Sequence, residues 1–95
     1  MWIIAGHITV DDDKRDSFVD AHCDLVKRAR EARGCLDVAI TADPVDPCRI
    51  NNFERWDSWD AIEAWRARAA APDTGITIHE VDVTAFEVAS TRPPF

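Results

Sequence analysis

Along the first ten residues, Trp2, Ile4, Ile8 and Val10 alternate with Ile3, Ala5, His7 and Thr9, so apolar side chains fall on both parities. Period-two spacing rich in β-branched residues predicts a strand over Trp2–Val10, buried on both faces. From Lys14 to Arg33 the period changes. At about 100° per residue, Phe18, Ala21, His22, Leu25, Ala29 and Ala32 share one stripe, with Asp16, Asp20, Asp24, Lys27 and Glu31 opposite. This predicts one amphipathic helix, stopped by Gly34, where a left-handed residue suits a helix end. Asp11, Asp12 and Asp13 supply capping and favourable charge at its start. Lacking the Gly and distal Glu of an EF-hand loop, they do not predict a calcium site.

Cys35–Thr41 returns to strand character. The two prolines of Asp43-Pro44-Val45-Asp46-Pro47 remove ladder donors, so this segment is expected to be a hairpin loop. The next strand, Cys48–Trp56, places Ile50, Asn52, Glu54 and Trp56 on one face and Arg49, Asn51, Phe53 and Arg55 on the other. Asp57 or Ser58 caps a second helix with the stripe Ala61, Ile62, Trp65 and Ala69, ended by Pro72. A last strand, within Ile76–Ala89, centres on Val81, Val83, Phe86 and Val88, and residues 91–95 form an irregular tail. The order β-α-β-β-α-β predicts an α+β, ferredoxin-like single domain over residues 1–95: a four-stranded antiparallel sheet with helices on one face. The face without helices also carries large apolar groups, which predicts a homodimer.

Size and charge narrow the options. A chain of 95 residues has room for one core. Its 18 acidic against 11 basic residues leave a formal charge of -7, which disfavours nucleic acid and anionic lipid as partners. No stretch is long and apolar enough to cross a bilayer, and no signal-peptide pattern is present, so a cytoplasmic location is expected. Cys23, Cys35 and Cys48 show no C-x-x-C spacing and are expected to be reduced and mostly buried. No metal cluster is expected.

The element order, together with Gly34-Cys35-Leu36 at the entry to the second strand, Glu54-Arg55-Trp56 at the end of the third and the Ser58-x-x-Ala61 to Trp65 helix, resembles the antibiotic biosynthesis monooxygenase family, over roughly Ile3 to Val88. The resemblance implies a dimeric α+β barrel made by two sheets closing face to face. It also implies, for the quinone-forming branch, oxidation of phenolic compounds by O2 without any cofactor. In that branch a strand Asn and a Trp four residues later line the substrate pocket, and Asn52 and Trp56 match the pair. A haem-degrading branch uses a first-strand Asn, a Trp on the second helix and a later His. Here Trp65 matches the Trp, His7 occupies the Asn position, and Gly75 lies where the His is wanted, with His79 nearby. Haem degradation is therefore disfavoured.

Asn52 and the indole N–H of Trp56 are candidate donors to a phenolate, with a cross-sheet hydrogen bond and core packing as their respective alternatives. His22, on the apolar side of the first helix, and His7, on a parity expected to share the same interior, are candidate general bases; a structural hydrogen bond is the alternative for each. Glu54 shares a face with Asn52 and Trp56, its alternative being a salt bridge to Arg66 or Arg68. Trp65, Phe18 and Ile62 are expected to complete the substrate wall. The competing functions are a non-catalytic carrier of a small aromatic ligand, and an isomerase or decarboxylating enzyme using His7, His22 or Glu54 as proton shuttle.

Overall fold

The computed structural model describes residues 1–95 as one sheet with all helices on one side. Its elements are β1 (Trp2–Thr9), α1 (Arg15–Ala21), α2 (Cys23–Arg30), β2 (Cys35–Ala42), β3 (Arg49–Trp56), α3 (Trp59–Arg66) and β4 (Glu80–Glu87), with a 3-10 turn at Asp12–Lys14. The strand order β2-β3-β1-β4, antiparallel throughout, is that of a ferredoxin-like sheet. Direct cross-strand partners share a face. The pairings Trp2↔Trp56, Ile4↔Glu54, Ile8↔Ile50 and Val38↔Glu54 therefore gather one parity of three strands beneath the helices.

The main core lies there, with Ile4, Val38, Trp56, Ile62 and Trp65 packed with Ala29 and Ala32. A smaller cluster of Val10, Phe18 and Ile50 holds the other end. Trp56, Ile50, Ile62 and Val10 are almost fully buried, and each such side chain contributes about 1.5–3 kcal/mol. The opposite face carries half-buried Ile3 and Ala5 beside Phe53 and Phe86, which are 36% and 52% exposed.

Several boundaries depart from the expected ones. The first helix is two segments, broken at His22, whose φ of -92° and ψ of 1° lie outside the helical range. The cause is local: the His22 ring hydrogen-bonds the Phe18 carbonyl at 2.7 Å, while the His22 backbone N–H turns to Val19 at 3.1 Å. A side chain has taken the acceptor that an unbroken helix would use. The second segment ends at Arg30, where Glu31 and Ala32 bond back three residues and tighten the chain toward Gly34. Gly34 adopts φ +83°, and a Cβ there would lie 2.5 Å from both Ala61 Cβ and Asp57 Oδ1.

Ser58 caps α3, its hydroxyl accepting from the Ala61 N–H at 3.1 Å. That helix ends at Arg66, well before Pro72; Ala70 takes a positive φ of 50°, and the Ala69 carbonyl accepts from Arg28 at 2.8 Å. Asp11 makes no cap hydrogen bond and instead meets His79 at 2.9 Å. Asp43 organises the β2–β3 loop, its carboxylate accepting from the N–H groups of Val45 and Asp46 and from the Asn51 amide. These bonds hold its carboxyl at about 2, below the ordinary value of 3.8. Of the cysteines, Cys23 is exposed and the other two are half-buried, contrary to the expectation of mostly buried thiols. No helix is long and apolar enough to cross a membrane.

Candidate active site

Between sheet and helices lies a cavity of about 320 Å³, at the small end of the roughly 300–1,000 Å³ range of ligand pockets. The helices contribute Phe18, His22, Leu25, Val26, Ala29 and, from α3, Trp65. The sheet contributes Ile8, Val38, Ile40, Ile50 and Val83 and the polar pair Asn52 and Glu54. Ten of the thirteen lining residues are hydrophobic and none is Arg or Lys. A second depression, at the start of α3, is lined mainly by polar residues including Asp57 and Asp60, and lacks the apolar walls an organic ligand needs.

The break at His22 sets the chemistry of one wall. A carbonyl oxygen can only accept, so the bond to Phe18 O places the imidazole proton on Nδ1. In the neutral ring Nε2 then carries a lone pair. Nε2 has no protein partner and is not wholly enclosed, and His22 is one of the residues that line the cavity. The residue is 8% exposed, and its ring stacks on Phe18 at 4.2 Å between centroids. It is a proton acceptor of defined tautomer in an apolar surrounding.

The facing polar group is built on β3, where alternation puts residues 52, 54 and 56 on one side. Trp56 Nε1 donates to Glu54 Oε1 at 3.0 Å, and Asn52 Nδ2 donates to Glu54 Oε2 at 3.4 Å. Glu54 forms no ion pair. Arg66 and Arg68, the expected partners, lie instead over the rings of Trp59 and Trp65, at 5.5 and 5.2 Å from the centroids. Cys35 has its thiol pushed up from the ordinary value by burial, with the Glu54 charge adding to it.

Five of the eight candidate residues thus come together: His22, Phe18, Asn52, Glu54 and Trp65. Three do not. His7 lies on the far face of the sheet, paired with Glu80 at 3.0 Å, because its odd position in β1 is opposite to that of Ile4 and Ile8. Trp56 is fully buried and lines no part of the cavity; its one donor is spent on Glu54. Ile62 is likewise buried behind the wall. The haem-branch positions also lie apart, since His79 pairs with Asp11. Val38, Ile40 and Val83 were not among the candidates, although strand alternation places them on the same face as Asn52 and Glu54.

The comparisons with known proteins agree with this architecture. The family model described as antibiotic biosynthesis monooxygenase matches residues 1–74. Among solved structures, a candidate antibiotic biosynthesis monooxygenase from Deinococcus radiodurans superposes with a TM-score of 0.84 at 17% identity, over 100% of this chain and 99% of that one. A candidate member from Chloroflexus aurantiacus gives 0.71 at 22% identity, over 97% and 96%. The haem degrader MhuD of Mycobacterium tuberculosis, solved with two haems in its active site, gives 0.71 at 15% identity, over 98% and 100%. At these identities the likeness is one of fold. No functionally curated protein matches the sequence.

Proposed function

The chain belongs to the antibiotic biosynthesis monooxygenase family, and from that membership we propose that it is a cofactor-independent oxygenase acting on a small phenolic or quinol-like arene with O2. The observation that carries this reading is His22, which lines an apolar cavity with Nδ1 tied to Phe18 and Nε2 free of any protein partner. A phenol held between the apolar walls gives its proton to Nε2. The phenolate passes one electron to O2, and the phenoxyl–superoxide pair joins through a ring C–O bond. The peroxide takes the proton back from His22, and loss of water from the resulting hydroperoxide leaves a quinone, so that phenol and O2 become quinone and H2O; a hydroquinone instead gives two electrons and two protons to O2 and becomes quinone and H2O2. The protein's part is to position the ring, accept the proton and exclude bulk water.

The proposal includes a cytoplasmic homodimer in which the Phe53 and Phe86 faces of two sheets meet, supported by their exposure. Sedimentation at micromolar concentration is expected to give a dimer, and a monodisperse monomer counts against it. A haem substrate fits less well, because no Arg or Lys lines the cavity to meet its propionates and His7 points away from it.

The decisive experiment is oxygen uptake by metal-stripped protein with naphthols and naphthohydroquinones. Uptake with quinone formation above the protein-free rate is expected. Binding without product in air would instead identify a carrier, and turnover unchanged without O2 an isomerase or decarboxylating enzyme.

A further inference from the structure

We infer that Glu54, clamped by Trp56 and Asn52, is the residue that sets substrate class in this cavity, selecting an arene with two hydroxyl groups in its reduced form over the corresponding quinone and over anionic arenes. The inference rests on the proposed site but not on its chemistry. The Trp56 indole and the Asn52 amide each occupy one carboxylate oxygen. A carboxylate offers about four acceptor positions over its two oxygens, so roughly two stay open toward the cavity that Glu54 lines.

No cationic side chain lines this space. Glu54 has no ion-pair partner and no Arg or Lys lines the cavity. The guanidinium groups of Arg28 and Arg68 lie over the Trp65 ring and that of Arg66 over Trp59, and Arg30 donates to the Val38 carbonyl. A ligand therefore meets the His22 imidazole at one wall and a carboxylate without an ion-pair partner at another. It binds best when it brings a hydrogen-bond donor to each. A dihydroxylated arene does so, whereas its quinone turns carbonyl lone pairs toward Glu54, and a carboxylated or sulfonated arene adds like charge in an apolar setting.

Trp56 is a positioning residue in this scheme. It is fully buried and cannot touch the ligand; its N–H fixes the rotamer and orientation of the carboxylate. This differs from the role implied by resemblance, in which the Trp itself faces substrate. It also gives the protein a way to release product, since oxidation converts the hydroxyl facing Glu54 into a group that the carboxylate repels.

The test is anaerobic calorimetric titration of the full chain with 1,4-dihydroxynaphthalene, 1,4-naphthoquinone, 2-naphthol and 2-naphthoate, for wild type, Glu54→Gln and Trp56→Phe. Wild type is expected to favour the dihydroxy compound over the quinone by about tenfold or more, the worth of one charge-assisted hydrogen bond, and to reject naphthoate relative to naphthol. Glu54→Gln keeps the shape, replaces an acceptor by a donor, and should bring the first ratio to within about threefold while admitting naphthoate. Trp56→Phe should lower the ratio in part through loss of positioning. A wild-type ratio near one, or a ratio unchanged in both folded variants, overturns the assignment. Binding needs no turnover, so a shifted ratio without oxygen uptake sinks the oxygenase reading alone, and uptake with an unshifted ratio sinks this one alone.

Discussion

Replacing His22 by Ala separates the structural work of that residue from its chemical work. The substitution removes the 2.7 Å bond from Nδ1 to the Phe18 carbonyl and the ring stack on Phe18 at 4.2 Å. A net hydrogen bond is worth about 0.5–1.5 kcal/mol and an aromatic stack a similar amount. Against this, the freed Phe18 carbonyl can accept from the backbone N–H of residue 22, joining α1 to α2, and Ala is favoured over His in a helix by roughly 0.5 kcal/mol. The side chain borders an open cavity, so no sealed void is left. The sum is a loss of about 1 kcal/mol, or roughly 4–8 °C in Tm for a domain of this size.

The chemical loss should be larger, because a positioned general base contributes about 10²–10⁴-fold in rate. The assay is initial oxygen uptake with a naphthohydroquinone alongside thermal unfolding of the same preparation. A drop of a hundredfold or more with a small Tm shift is expected. Uptake above one tenth of the wild-type rate in the folded variant would refute the role given to Nε2, and loss of folding would show that the helix break itself is indispensable.

Gly6 sits in mid-strand at φ +152°, and an added Cβ would stand 1.9 Å from the Asp82 carbonyl oxygen. Gly6→Ala must therefore push β4 away and is expected to cost about 3 kcal/mol through backbone strain and lost ladder bonds; a urea midpoint close to wild type would contradict the geometry. Asp43 has its carboxyl lowered from 3.8 to about 2 in the folded chain. Its contribution to stability is therefore complete above pH 3.8 and disappears as pH falls through about 2. In denaturant midpoints measured across that window, Asp43→Asn should lack this component of the acid slope, and an identical pH profile in both proteins would reject it. Cys23 is exposed while burial raises the Cys35 thiol, so iodoacetamide at pH 8 should label Cys23 first, as read by peptide mass mapping. Equal rates at the two would contradict the described burial.

Much of this fold was legible in the chain because its periodicities are local. Alternation along Trp2–Val10 and Cys48–Trp56 and the helical stripe through Phe18, Leu25 and Ala29 need only the geometry of single elements, and they predicted the order of strands and helices that is observed. The shared face of Asn52, Glu54 and Trp56 was readable in the same way. Residue placement beyond one element was not. Whether the odd or even parity of β1 lies beneath the helices depends on its pairing with β3 and on where α1 to α3 pack, and this put His7 on the far side of the sheet.

The same limit applies to depth. Asn52, Glu54 and Trp56 share a face, yet tertiary packing alone decided that Trp56 is sealed behind the cavity wall while its indole N–H holds Glu54. The His22 break was equally hidden, because helical phase marks which face a residue occupies and is silent on whether its ring competes for a backbone carbonyl. The chain by itself thus determined its elements, their order and the residues able to do chemistry, all set by short-range sterics and hydrophobic period. Which of those residues meet, and with which atoms free, came from the packing of helices on sheet, where hydrogen-bond partners distant in space settle how each polar group is used.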